Sequence, residues 1–171
     1  MSYDFRAFLP QPGEDPLVTA KVEQDLESDD INPGPPIPAK EARKQALVKS
    51  LKKVNAALQK FAFGLNEIAK LYSITVEEAK ARFRHIELNG PENGNGIQIT
   101  LLDDGATVTV PYWHKGKAAQ TAFSEIWDYL KVLQMVGGYQ IYDPQMERII
   151  DLASDQDSAT RRYLDVMKHI G

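Results

Sequence analysis

The chain contains no cysteine, which excludes disulfides, thiolate nucleophiles and cysteine-held metal. Its three histidines, His85, His114 and His169, are scattered and form no His-x-His or His-x-x-x-His pair, so no local metal site is predicted. No apolar run approaches the length of a membrane span. The opening Met1-Ser2-Tyr3-Asp4-Phe5-Arg6 lacks a basic stretch followed by an apolar one, so no secretory signal is expected and a cytoplasmic location is. Charge of one sign is also scarce. A net of -4 does not describe a surface devoted to nucleic acid or anionic lipid.

What is present fits one domain. A 171-residue chain that is 43% hydrophobic can bury one sizeable core. Tyr3 to Leu9 reads as a first strand. Asp15 and Pro16 read as the cap and first position of a helix to about Glu27. Residues 14–30 are acidic, with Glu14, Asp15, Glu23, Asp25, Glu27, Asp29 and Asp30 against Lys21 alone. Residues 31–38 form a connector in which Pro33, Pro35, Pro36 and Pro38 forbid helix. Residues 39–60 are helical in pattern and basic.

Leu47, Leu51, Val54, Leu58, Phe61, Leu65, Ile68 and Tyr72 recur at spacings of four and three. The spacing predicts an apolar seam on one long helix, or on two joined near Gly64, and a homodimer through residues 47–72. Thr75 and Glu78 form a capping box. Residues 89–96 read as a flexible turn, and Asp103-Asp104-Gly105 as a hairpin turn with positive φ at the glycine. Ala119, Phe123, Ile126, Leu130 and Leu133 mark the buried face of a helix that stops at Gly137-Gly138. A short strand, an Asp143-Pro144 turn, a second short strand and a last helix to about His169 follow. The order predicts an α+β domain over residues 1–171. Its sheet would be mainly antiparallel, of four to six strands, with helices on one face. Two strand-helix-strand crossings would make it ferredoxin-like.

The candidate chemistry is sparse. Tyr112, Trp113, His114 and Lys115 lie between a strand and a helix entrance, where aromatic and basic side chains anchor a partner or clamp an anion. The plainer alternative is that the aromatics close the core and His114 is solvated. No carboxylate adjoins His114 in sequence to orient it as a base. Asp143, Asp151, Asp155 and Asp157 read as turn and cap residues. Residues 65–83 resemble the helix-turn-helix of transcription regulators, which implies DNA in a major groove. Against that, Glu77 and Glu78 occupy the leading end of the second helix, and only Lys80, Arg82 and Arg84 follow.

Tyr3-Asp4-Phe5 at one end and Tyr142-Asp143-Pro144-Gln145 at the other give the chain a second resemblance. It resembles small bacterial α+β proteins carrying a Tyr-Asp-Pro-Gln motif, some of which are similar to immunity proteins to secreted toxins. The resemblance implies a non-enzymatic protein that binds and neutralises a toxin, without a cofactor. The expected contact surface combines Tyr112, Trp113, His114 and Lys115 with acidic Glu23, Glu27, Asp29 and Asp30. Opposite charge there would speed encounter with a basic toxin.

Overall fold

A computed structural model describes residues 1–26 and 34–170. The chain order is β1 (Ser2–Phe8), α1 (Pro16–Leu26), α2 (Pro38–Val54), β2 (Gln59–Lys60), α3 (Leu65–Tyr72), α4 (Val76–Arg82) and β3 (Ile86–Asn89). Then come β4 (Gln98–Leu101), β5 (Gly105–Pro111), α5 (Gly116–Gly137), β6 (Gln140–Asp143), β7 (Arg148–Ile149) and α6 (Gln156–Ile170). All described strands join one antiparallel sheet in the order β2-β3-β4-β5-β1-β6-β7. The sheet has seven strands, more than the four to six expected.

The expected crossings are present. β1 lies between β5 and β6 and runs against both, so β5, α5 and β6 form a crossover that straddles β1. β1 and β4 likewise flank β5, with α2 on the path between them. The strands β4, β5, β1 and β6 with α2 and α5 therefore have the βαββαβ connectivity of a ferredoxin-like plait. β2 and β3 extend one edge and β7 the other. Both edge strands are only two residues long, which limits the exposed hydrogen-bonding rim.

Alternation along β1 separates two packed faces. Tyr3, Phe5 and Ala7 enter the main core with Leu47 and Leu51 of α2, Phe123, Ile126 and Trp127 of α5, and Tyr163 of α6. Phe8 points the other way and packs with Ala20 and Tyr142. Helices thus cover both faces: α1 lies opposite α2, α5 and α6, which corrects the expectation of one covered face. Asp15 starts α1 as its spacing implies, with its Oδ1 accepting from the Leu17 amide at 2.9 Å.

The apolar seam of 47–72 is not continuous. α2 ends at Val54 because Asn55 leaves the helical region, at φ -139° and ψ 102°. Its side-chain oxygen accepts from the Ala57 amide at 3.0 Å, and its amide donates to Glu125 and to the Tyr129 hydroxyl. A polar side chain with these local and tertiary partners competes with the next helical turn. Leu47, Leu51 and Leu58 are spent in the core, while Phe61, just past β2, and Tyr72, on α3, are exposed. The single stripe that prompted the dimer expectation is absent.

Gly105 also departs from expectation. It is not among the described residues with positive φ, which are Gly13, Gly96, Gly116 and Gly138 with non-glycine Ser73 and Glu147. Its reason is proximity: opposite Phe8 in the β1–β5 register, it leaves so little room that a Cβ would stand 2.7 Å from the Ala7 carbonyl oxygen. Gly105→Ala must push two central strands apart, which overpacking data place at about 1–3 kcal/mol. A lowered urea midpoint with an unchanged slope is expected; an unchanged midpoint would disprove the close approach.

Candidate functional site

The Tyr112–Lys115 loop is built on the aromatic end of the core. Tyr112 stacks on Tyr163 with centroids 5.0 Å apart and planes 14° from parallel. The Tyr163 hydroxyl donates to the Pro111 carbonyl at 2.6 Å and accepts from the His114 amide at 3.0 Å. One buried phenol thereby satisfies the backbone on both sides of the bend. Tyr112 closes the core, as the plainer reading held, but Trp113 does not: it remains 58% exposed.

The turn at residues 89–96, expected to be flexible, is what Trp113 rests on. Gly96 has φ +73°, and a Cβ there would stand 2.4 Å from the indole. Asn95 is fixed by a hydrogen bond from its side-chain amide to Glu125 and by its Oδ1 accepting from the Ile97 amide at 3.2 Å. Its carbonyl lies 2.7 Å from His114 Nε2. A carbonyl only accepts, so Nε2 carries the proton there. Trp113 Nε1, 3.0 Å from the same nitrogen, then has no lone pair to use, so the two contacts exclude one another. Among the described residues no Ser, Asp or Glu side chain hydrogen-bonds to His114. The Asn95 carbonyl fixes the Nε2–H tautomer and leaves the ring's lone pair on Nδ1.

A second cluster escaped the sequence reading. Lys44 is fully buried on α2, and its ammonium meets Asp103 Oδ1 at 2.8 Å, Glu41 Oε1 at 2.7 Å and the Arg84 carbonyl at 3.0 Å. Arg84 grips the other oxygen of Asp103 through Nη2 at 2.8 Å and Nε at 3.1 Å. Its Nη1 donates to the carbonyls of Gly34 at 2.7 Å and Ala81 at 2.8 Å. Burial pushes the Asp103 carboxyl up, but hydrogen bonds from Arg84 and Lys44 outweigh it and hold the group at about 2. Asp103 therefore does more than shape a turn. The signal available beforehand was a lysine spaced three residues from Leu47, on the apolar side of α2.

The two terminal motifs also meet. Asp143 is fully buried, and its Oδ2 accepts from the Tyr3 hydroxyl at 2.6 Å. Its Oδ1 accepts from the amides of Gln145 at 2.8 Å and Met146 at 3.1 Å, which shapes the turn as expected. The Gln145 side chain accepts from the Asp4 amide at 3.3 Å. Burial pushes the Asp143 carboxyl up against the pull of these donors.

The remaining candidates do not converge. Glu23 is half-buried on α1, across the sheet from the helix that the aromatic loop enters. Glu27, Asp29 and Asp30 lie outside the described residues. Residues 65–83 do form two packed helices, joined through Ser73 at φ 53° and the Thr75–Glu78 capping box. However, α4 has seven residues with Glu77 and Glu78 in its first turn, and Arg84 is engaged by Asp103. Among the described residues no cluster of three or more His, Asp or Glu could hold a metal ion. No helix among them is long and apolar enough to cross a membrane. Comparison with family models, curated proteins and solved structures finds no match for this chain.

Removing Asp103 leaves a buried ammonium short of its main partner. Asp103→Ala is expected to cost ~3 kcal/mol in urea unfolding, toward the low end for a broken buried pair because Glu41 remains. The folded group titrates near 2, below its unfolded value of 3.8. Its contribution is thus complete above the unfolded value and disappears as pH falls toward the folded one. Asp103→Asn should flatten acid unfolding in that window, and an unaltered acid limb would refute the assignment.

Proposed function

We propose that the chain is a non-enzymatic protein-binding module, and that it acts as an immunity protein that binds and neutralises a bacterial toxin. The observation that carries the binding reading is Trp113. It is a large aromatic, mostly exposed, and seated on a backbone already tied by Tyr163, Asn95 and Gly96. An anchor held this way loses little side-chain freedom on association, and Trp is prominent among interface hot spots. The immunity reading draws on the resemblance of Tyr3-Asp4-Phe5 and Tyr142-Asp143-Pro144-Gln145. The hydrogen bonds that join those motifs give them a shared structural reason, so they speak for a common architecture before a common partner.

The test is co-expression with the product of an adjacent gene, scoring co-purification and relief of toxicity. A complex should form with the native chain. Trp113→Ala should weaken it about 30-fold, as for a central aromatic hot spot, with the unfolding midpoint nearly unchanged. Neither complex nor protection with the native chain would end the toxin reading. A complex indifferent to Trp113→Ala would move the contact surface elsewhere.

A further inference from the structure

Beside the aromatic loop, a groove of about 570 Å³ opens between the start of α5 and α6. Leu164 and Met167 lie in it, partly buried and packed against the main core, so they offer an apolar floor continuous with the interior. Around them stand Lys115, Arg161 and Lys168, with Asp165 the single carboxylate of the lining. Asp165 is already answered by Lys168 at 2.9 Å, and that ammonium holds its carboxyl below the usual range. Among the described residues no carboxylate pairs with Lys115 or Arg161. In a chain of net charge -4, this groove is locally positive, and two of its cations have unspent charge.

An apolar floor under a cationic rim selects for a ligand with both characters. A bare inorganic anion would leave Leu164 and Met167 wet, and a neutral hydrocarbon would leave Lys115 and Arg161 unanswered. The volume lies inside the range of roughly 300–1,000 Å³ typical of small-molecule sites, which are mostly apolar with a few placed polar groups. The geometry points to a binding site for a small organic anion with an apolar body, of the carboxylate class. The carboxylate lies against Lys115 and Arg161 and the body over Leu164 and Met167. The groove shares His114 and Lys115 with the loop proposed to hold a partner, but Trp113, the residue that carries that reading, does not line it.

NMR titration of the full chain with decanoate tests the proposal, with decanol as the neutral control. Decanoate should produce saturable shifts at the Met167 methyl and the Gly116 amide, and decanol should bind more weakly. The double charge reversal Lys115→Glu with Arg161→Glu, both on the exposed rim, should weaken decanoate by at least about tenfold. Equal binding of decanol, decanoate binding that survives the reversal, or shifts that map away from α5 and α6 would each overturn it. So would saturation of the groove by an acidic Glu/Leu peptide when decanoate fails, which would make it a peptide surface. Decanoate binding to the native chain is read without any partner, and Trp113→Ala removes no residue of the groove, so the two readings fail separately.

Discussion

Four separate parts of the chain are fastened at one carboxylate. Asp103 sits in the β4–β5 turn, Lys44 comes from α2, and Arg84 comes from the end of the α3–α4 corner. Arg84 also holds Gly34, the first described residue of the proline-rich connector. A buried pair of this kind is weak evidence for stability in itself, because desolvation consumes much of the attraction. Its consequence is positional. Lys44 lies on the same buried face of α2 as Leu47, Val48 and Leu51, which would pack nearly as well after a slide along the helix axis. The ammonium would not: displaced by one turn, it would keep only Glu41 of its own helix and lose Asp103 and the Arg84 carbonyl. The apolar face keeps α2 on the sheet, and the ion cluster decides where on the sheet it rests.

The same division recurs at the other end of β1. Tyr3 belongs to the aromatic core through Phe5, Phe123 and Tyr163, yet its hydroxyl ends on Asp143. Burial and the Asp143 charge push the phenol well above its ordinary range, so it stays a donor throughout the working pH range. Asp143 in turn organises the β6–β7 turn through two backbone amides. β1 is consequently fixed in register by pairing on both sides and by one side-chain bond to the turn that follows β6. Residues 140 apart in sequence are brought together by strand order, with no local pattern to announce it.

This difference explains what could be read from the chain. The cap at Asp15, the capping box at Thr75 and Glu78, the buried face of α5 and its stop at Gly138 are local physics, written within a few residues of where they act. The plait followed because strand and helix order limits the connections available. The end of α2 was not legible, since Asn55 breaks the helix by bonding to Glu125 and Tyr129 on a distant element. Gly105 looked like a turn glycine and is required by the backbone of β1. Asp103 looked like turn chemistry because nothing in its neighbourhood names Lys44. At the candidate site, Tyr112 to Lys115 were legible as a group, but their support by Asn95 and Gly96 was not. A run of Asn and Gly carries the same local signature whether it is loose or held.

That support bears on the kind of function the loop can have. A catalytic histidine needs a lone pair aimed at a substrate proton and a partner that sets its tautomer. His114 has the second, since the Asn95 carbonyl fixes Nε2–H and leaves the lone pair on Nδ1, but among the described residues no carboxylate is bonded to the ring. The indole that this arrangement supports lies outside the core, although Tyr112 beside it has already sealed the core. Trp113 is therefore not required for closure, and burial does not explain why its ring is held so closely over Gly96. On the reading proposed above, a loop fixed in advance would remove part of the ordering entropy that an interface otherwise has to overcome.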